Sequence, residues 1–194
     1  MARTTAARGA NRARLIEAAY AVLAERGYEA TSIKAVAQAA GVAPGLIHYY
    51  FASKEDLLAA VVEDAAERYA EEMRQLRESL PPAQALAAAI AARKRRIETE
   101  PDRERLRVEL FALGVRHPAL RPAVARVLAT GRAGVAQMLA PTGQPLDQTA
   151  AAALLAMLDG VALQRLLDPD FDLDAAYRAV ERLARLLTAN ASDA

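Results

Sequence analysis

One short stretch, residues 32–51, restricts the fold of this chain more than any other part of the sequence. Its first half has the apolar spacing of a short helix, and Gly41 then interrupts that spacing. Ala37 is small enough for a second helix to cross nearby, and Ile47 is placed to pack back against the first. The segment therefore predicts a helix-turn-helix with Ala37, Gly41 and Ile47 as its scaffold. The alternative is an ordinary pair of helices joined by a glycine turn.

The rest of the sequence predicts an all-α protein. Alanine and leucine dominate its apolar residues, and residues that favour strands are sparse. Most of the apolar helical periods end next to a glycine or a proline, and the pattern predicts nine helices. We place them at about 11–26, 33–40, 44–50, 54–79, 83–99, 102–116, 119–139, 147–167 and 173–190.

The composition argues against several functional classes. The chain has no cysteine and only two histidines, so neither disulfides nor a thiolate metal site can form. No Ser-His-Asp set, phosphate loop or pair of catalytic carboxylates can be assembled, and we expect no enzyme, no metal and no cofactor. We find no signal peptide and no apolar run long enough to cross a bilayer, so we expect a cytoplasmic protein without a membrane partner.

Charge is distributed unevenly along the chain. The formal net charge is only +1, but residues 1–54 contain more basic than acidic side chains. A basic segment of this kind is typical of a region that meets phosphate, although charge in soluble helical proteins also fluctuates by chance. The basic run Arg93–Arg96 is expected to be a solvated helix face.

The residues that flank the helix-turn-helix resemble the N-terminal signature of the TetR family. The resemblance is strong over 11–58, where an aromatic-rich helix (47–51) leads into Ser53-Lys54, and it is softer over 154–169. It implies a nine-helix architecture with a three-helix DNA-binding head and a helical effector and dimerisation core. It also implies a regulator, usually a repressor, that an unidentified small-molecule effector releases from a palindromic double-stranded DNA operator. We therefore divide the chain into a flexible basic arm (1–10), a DNA-binding domain (11–54) and an effector-binding and dimerisation domain (55–194).

The resemblance and side-chain chemistry together suggest a DNA-binding set. Hydroxyls at a helix start and a lysine suit phosphate oxygens, although they could equally be helix caps and a surface lysine. The edge that faces the bases, 43–46, has few hydrogen-bonding groups, which favours contact with thymine methyls and recognition of DNA shape. The N-terminal arginines Arg3, Arg8, Arg12 and Arg14 would add phosphate or minor-groove contacts, or belong to a disordered tail. The predicted DNA-binding residues are Thr31, Ser32, Ala43, Pro44, Gly45, Leu46, His48, Tyr49 and Lys54.

The resemblance also implies a ligand cavity and a homodimer. Aromatic, methionine and polar side chains on the middle helices are candidates for the cavity, or are plain core. The candidates are Tyr69, Met73, Arg107, Phe111, Met157 and Asp159. Broad apolar faces on the last two helices would meet a two-fold mate, unless both are buried within a monomer. The predicted interface residues are Leu154, Leu158, Val161, Tyr177, Val180, Leu183 and Leu187.

One competing interpretation is a helical scaffold that binds a protein partner. It accounts for the later helices, but it leaves the spacing within 32–51 without an explanation.

Overall fold

The computed structural model describes the backbone of residues 2–139 and 148–190, with side chains over 8–81, 84–139 and 148–186. Across those backbone ranges the chain is all-α, as the sequence predicts. The helices are α1 (Ala2–Ala30), α2 (Ile33–Ala40), α3 (Pro44–Tyr50), α4 (Lys54–Ser79), α5 (Pro82–Thr99), α6 (Pro101–Arg116), α7 (Arg121–Leu139), α8 (Gln148–Leu167) and α9 (Leu173–Asn190).

The first helix is the main departure from the predicted boundaries. Residues 2–10 are helical in the structure, whereas the sequence predicted an irregular arm. Alanine is frequent in this stretch and has the highest intrinsic helix propensity, so the helix extends towards the N-terminus without needing a cap. The side chain of Arg3 lies outside the described residues.

A kink at Gly27 ends the regular part of α1. Gly27 has φ +72° and ψ 175°, a left-handed backbone conformation that favours glycine. Two hydrogen bonds hold the kink: the Tyr28 amide donates to Glu109 Oε1 at 2.7 Å, and Thr31 Oγ1 donates to the Gly27 carbonyl at 2.7 Å. The sequence predicted that a helix ends at this glycine. It did not predict that a carboxylate of α6 accepts a hydrogen bond from the amide of the following residue.

The chain divides into two compact units, and the predicted domain boundary at 54/55 stays a prediction. The first unit contains the residues up to Ala65 together with Arg105–Val127, and the second contains Ala66–Glu104 together with the residues from Leu128 onward. The start of α4 belongs to the first unit because Leu57, Leu58 and Val61 share one core with Leu23 and Ile47 of the helix-turn-helix region. The apolar side chains of the α4 start thus complete the head.

The second unit has its own apolar core. It is built from one face each of α4, α5, α7, α8 and α9, with Met73, Ile90, Val135, Leu154 and Tyr177 among its buried residues. Helix α8 is apolar and long enough to span a membrane by length and composition alone, and 33% of its most apolar stretch is buried. The expectation that no stretch meets this criterion is therefore wrong for α8, whose leucines also form the core of this unit.

Candidate nucleic-acid interface

Local interactions fix the turn between α2 and α3. Ser32 is the N-cap of α2, and its hydroxyl accepts a hydrogen bond from the Ala35 amide at 3.1 Å. Gly41 ends α2 in the left-handed conformation (φ +66°), and the Val42 amide then donates to the Ala37 carbonyl at 3.0 Å. Ala37 and Ile47 are both buried in the core of the first unit. These contacts place the start of α3 directly after the turn.

Alanine should have opposite effects at two glycines of this motif. At Gly41 we expect it to lower the free energy of unfolding by about 1 kcal/mol, because the left-handed conformation opposes a Cβ. At Gly45, which lies inside α3 with open space around an added Cβ, we expect a rise of about 0.5–1 kcal/mol. Urea unfolding of Gly41→Ala and Gly45→Ala measures both, and shifts of the same sign would contradict this account.

One face of α3 is open to solvent. Pro44, Gly45, His48 and Tyr49 are exposed, as is Ala43 just before the helix. Tyr49 is 61% exposed, an unusual position for a large aromatic side chain. Leu46 is half-buried. The structure thus brings six of the nine predicted DNA-binding residues to one short helix and its cap.

Thr31 is buried within the head. It is only 1% exposed, and its hydroxyl donates to the Gly27 carbonyl within the α1 kink. The Thr31 hydroxyl therefore has a structural partner inside the head, and a DNA contact of this residue stays a prediction. The adjacent Ser32 is exposed at the start of α2 and keeps the backbone position suited to phosphate.

Lys54 has a structural contact that the sequence did not reveal. Its Nζ donates to the Tyr28 carbonyl at 2.7 Å and lies 3.9 Å from the centroid of the Tyr28 ring. Burial, followed by the nearby carboxylates of Glu55 and Glu29, raises the pKa of the Tyr28 phenol. An ammonium group has three N–H donors, so this contact leaves donors available to a second acceptor. The only sequence signal for Tyr28 is its position next to Gly27.

The predicted ligand residues do not form one group. Tyr69 and Met73 on α4 line an open groove of about 450 Å³, which Thr130, Gly134 and Gln137 of α7 close on the other side. Met157 packs against the core of the same unit. Arg107 and Phe111 belong to the first unit instead, with the Arg107 guanidinium 4.9 Å from the Phe111 ring centroid.

Asp159, the last of these candidates, belongs to a buried polar cluster in the second unit. Arg93 Nη2 donates to Asp159 Oδ1 at 3.1 Å and lies 2.8 Å from Glu104 Oε2. Arg93 and Glu104 are both buried, so the expectation of a solvated 93–96 face is wrong for Arg93. Burial also raises the pKa of the neighbouring Tyr177 phenol far above its ordinary value, which keeps it protonated. No group of three or more potential metal ligands occurs among the side chains that the structure describes.

Most of the predicted dimer residues lie inside the protomer. Leu154, Leu158, Tyr177 and Val180 are buried within the core of the second unit, so the protomer exposes little of these side chains, and their part in a dimer stays a prediction. Val161 is half-buried, Leu183 is 45% exposed, and the side chain of Leu187 lies outside the described residues. The apolar periodicity of α8 and α9 thus corresponds to the helix faces that are buried within the protomer. The leucines exposed on α8 and α9 are Leu163, Leu167, Leu183 and Leu186.

Two family models match this chain. The one described as bacterial regulatory proteins of the tetR family matches residues 15–61. The one described as the C-terminal domain of tetracyclin repressor-like proteins matches residues 81–189, more than half of the chain.

Sequence and structural similarity to individual proteins points to the same family. The fatty acid metabolism regulator protein of Bacillus subtilis is 39% identical over 59 residues, which are 30% of this chain and 30% of that protein. The chain thus spans under a third of the length of such curated relatives. A transcriptional regulator from Rhodococcus sp. Rha1 has a similar structure (TM-score 0.74, 26% identity), covering 92% of this chain and 96% of that one. So does the multidrug binding protein EbrR complexed with ethidium (TM-score 0.72, 29% identity, covering 89% and 98%). This chain belongs to the TetR family of bacterial regulatory proteins.

Proposed function

We propose that this protein is a cytoplasmic transcription repressor that binds a palindromic DNA operator and is released by a small-molecule effector. The observation that carries the proposal is the exposed face of α3, held by the α2–α3 turn on a packed three-helix head. A recognition helix presented in this way fits the major groove of DNA.

The residues of this face suggest how the operator is recognised. Ala43, Pro44, Gly45 and Leu46 offer apolar surface and no side-chain hydrogen-bond donor, which suits thymine methyl groups and sequence-dependent DNA shape. His48 and Tyr49 add polar edges at the end of the helix. Ser32, at the start of α2, and the remaining donors of Lys54 are placed for phosphate contacts that set the register without reading sequence.

Selection from a random duplex library tests the DNA-binding function and identifies the operator sequence in the same experiment. The full chain is incubated with the library at about 0.15 M salt, a condition under which non-specific contacts are weakened. We expect enrichment of one sequence with two-fold symmetry and half-sites about one helical turn apart. A library that stays random through successive rounds would exclude a sequence-specific regulator and favour the scaffold interpretation.

The exposed leucines of α9 support a homodimer whose contact face includes Leu183 of the predicted set. Leu183 and Leu186 are 45% and 59% exposed, and they lie three residues apart on one side of α9. Apolar side chains grouped on a surface often mark a protein interface. A two-fold dimer through this face would carry two recognition helices, as a palindromic operator requires.

Charge on this face should separate the subunits. We expect Leu183→Glu with Leu186→Glu to convert a dimer into a monomer in sedimentation velocity, because two carboxylates would have to be desolvated in the interface. Val115→Glu, an exposed apolar position in the first unit, is the matched control and should leave the dimer intact. A double variant that sediments as wild type would place the interface elsewhere.

The groove between α4 and α7 is our candidate effector site. Tyr69 and Met73 give it an aromatic and an apolar wall, while Glu67 and Arg77 are among its charged lining residues. The structurally similar EbrR is described in complex with ethidium, which makes ethidium a suitable probe.

Filling the groove should weaken ethidium binding. An added Cβ at Gly134 meets only Met73, at 3.9 Å, so Gly134→Leu places its side chain in the groove without a backbone clash. We expect saturable ethidium fluorescence with the wild-type chain and an affinity at least about tenfold lower for the variant, since steric exclusion removes most apolar contacts. Equal affinities would place the effector site elsewhere.

A further inference from the structure

Helix α1 brings two arginines to the aromatic side of the recognition helix α3. The guanidinium carbon of Arg8 lies 5.1 Å from the Tyr49 ring centroid, and that of Arg12 lies 5.3 Å from the Phe51 ring centroid. Tyr49 meets Tyr50 edge to face at 5.0 Å, and the Tyr50 and Phe51 centroids are 6.5 Å apart. These five side chains form a continuous arginine–aromatic ladder with a cation at each end.

The charges of the ladder are not neutralised by the rest of the described chain. Arg8 and Arg12 are exposed, and neither has an acidic partner among the side chains that the structure describes. A cation over a ring interacts through the ring face, which leaves N–H donors of the guanidinium available to an anion. When the exposed face of α3 enters the major groove, the nearest anions are the phosphates at the groove edge.

The ladder also fixes the position of Tyr49 before DNA arrives. Tyr49 is 61% exposed, and an exposed phenol without a neighbour would sample several side-chain conformations. A cation over an exposed ring shifts such an equilibrium by about two- to fivefold. Because α1 is already helical at Arg8, little further conformational entropy is lost when this contact to DNA forms.

We propose that Arg8 and Tyr49 act as a coupled pair in DNA binding, in which Arg8 contacts a phosphate and positions the Tyr49 ring. The proposal rests on the DNA-binding function proposed above and extends the interface to the first turns of α1. It turns the predicted arm into an ordered part of the recognition surface.

Fluorescence anisotropy with the duplex enriched from the random library tests the pair. The variants of the full chain are Arg8→Ala, Arg8→Lys, Tyr49→Leu and the double variant Arg8→Ala/Tyr49→Leu. Arg26→Ala is the matched control, since Arg26 is an exposed arginine on the same helix whose guanidinium lies 3.4 Å from Glu25. Each affinity is measured at several salt concentrations, which separates charge from positioning.

We expect Arg8→Ala to weaken binding about five- to tenfold and to make the salt dependence shallower by about one phosphate contact. Arg8→Lys should retain the salt dependence, and Arg26→Ala should change affinity less than about twofold. In the Tyr49→Leu background, the fold-loss of affinity caused by Arg8→Ala should be half or less of that in the wild-type background, because the partner ring is gone.

Two results would overturn the proposal. One is a loss of affinity in Arg8→Ala that is no larger than the loss in Arg26→Ala. The other is a double variant whose loss of affinity equals the product of the losses in Arg8→Ala and Tyr49→Leu. A wild-type chain that enriches no duplex would overturn the DNA-binding function itself, and this proposal with it, before any variant is compared.

Discussion

Replacing Glu104 with alanine is expected to lower the free energy of unfolding by about 3–5 kcal/mol, the usual cost of removing one partner from a buried ion pair. Glu104 and Arg93 are both buried, with Arg93 Nη2 2.8 Å from Glu104 Oε2. Without Glu104, the carboxylate left beside the guanidinium, among the side chains that the structure describes, is that of Asp159 at 3.1 Å, which is partly exposed. The desolvation cost of Arg93 then exceeds the attraction that remains.

The comparison that isolates this effect uses a second carboxylate nearby. Glu100 pairs with Arg103 on an exposed helix start, so Glu100→Ala should cost less than about 1 kcal/mol. Replacing both partners, Arg93→Met with Glu104→Leu, should recover much of the loss, because no buried charge is left alone. Urea unfolding at one fixed protein concentration measures all three. A Glu104→Ala cost as small as that of Glu100→Ala would show that the cluster contributes little.

Replacing both His48 and Tyr49 with alanine is expected to reduce affinity for the enriched duplex on the order of 100-fold. Both side chains are exposed on α3, and two lost contacts of about 1.4 kcal/mol each give that factor. Since neither side chain is buried, the melting temperature should stay within about 2 °C of wild type. The variant therefore separates binding from folding.

The control for this variant is Val115→Ala, an exposed apolar substitution in the same unit but on α6. It should leave the affinity unchanged within about twofold, as surface substitutions away from a site do. A double alanine variant that binds as tightly as this control would remove α3 from the DNA interface.

Local features of this chain were predictable from the sequence. The α2–α3 turn depends on residues a few positions apart, so the spacing of Ala37, Gly41 and Ile47 was enough to locate it. Helix ends were predictable for the same reason, because glycine, proline and capping residues act within one turn. The hydroxyl of Ser53, for example, accepts a hydrogen bond from the Asp56 amide at the start of α4.

Features that depend on distant residues were not predictable. Arg93 sits in a basic run typical of a solvated face, and only Glu104 and Asp159, brought close by folding, make it a core residue. Helix α8 is apolar on nearly all sides, so its periodicity could not separate the inward Leu154 from the exposed Leu167. The position of α1 over α3 likewise follows from packing, which no local pattern encodes.

The most direct test of the central claim is the ratio of affinities for two duplexes of equal length and composition, the enriched site and a shuffled version of it. Measured by anisotropy with the full chain over a series of salt concentrations, the enriched site should bind at least about 1,000-fold more tightly near 0.15 M salt. The logarithm of both affinities should fall linearly with the logarithm of salt concentration, since both depend on phosphate contacts. Equal affinities for the two duplexes at every salt concentration would contradict the claim that this chain is a sequence-specific DNA-binding regulator.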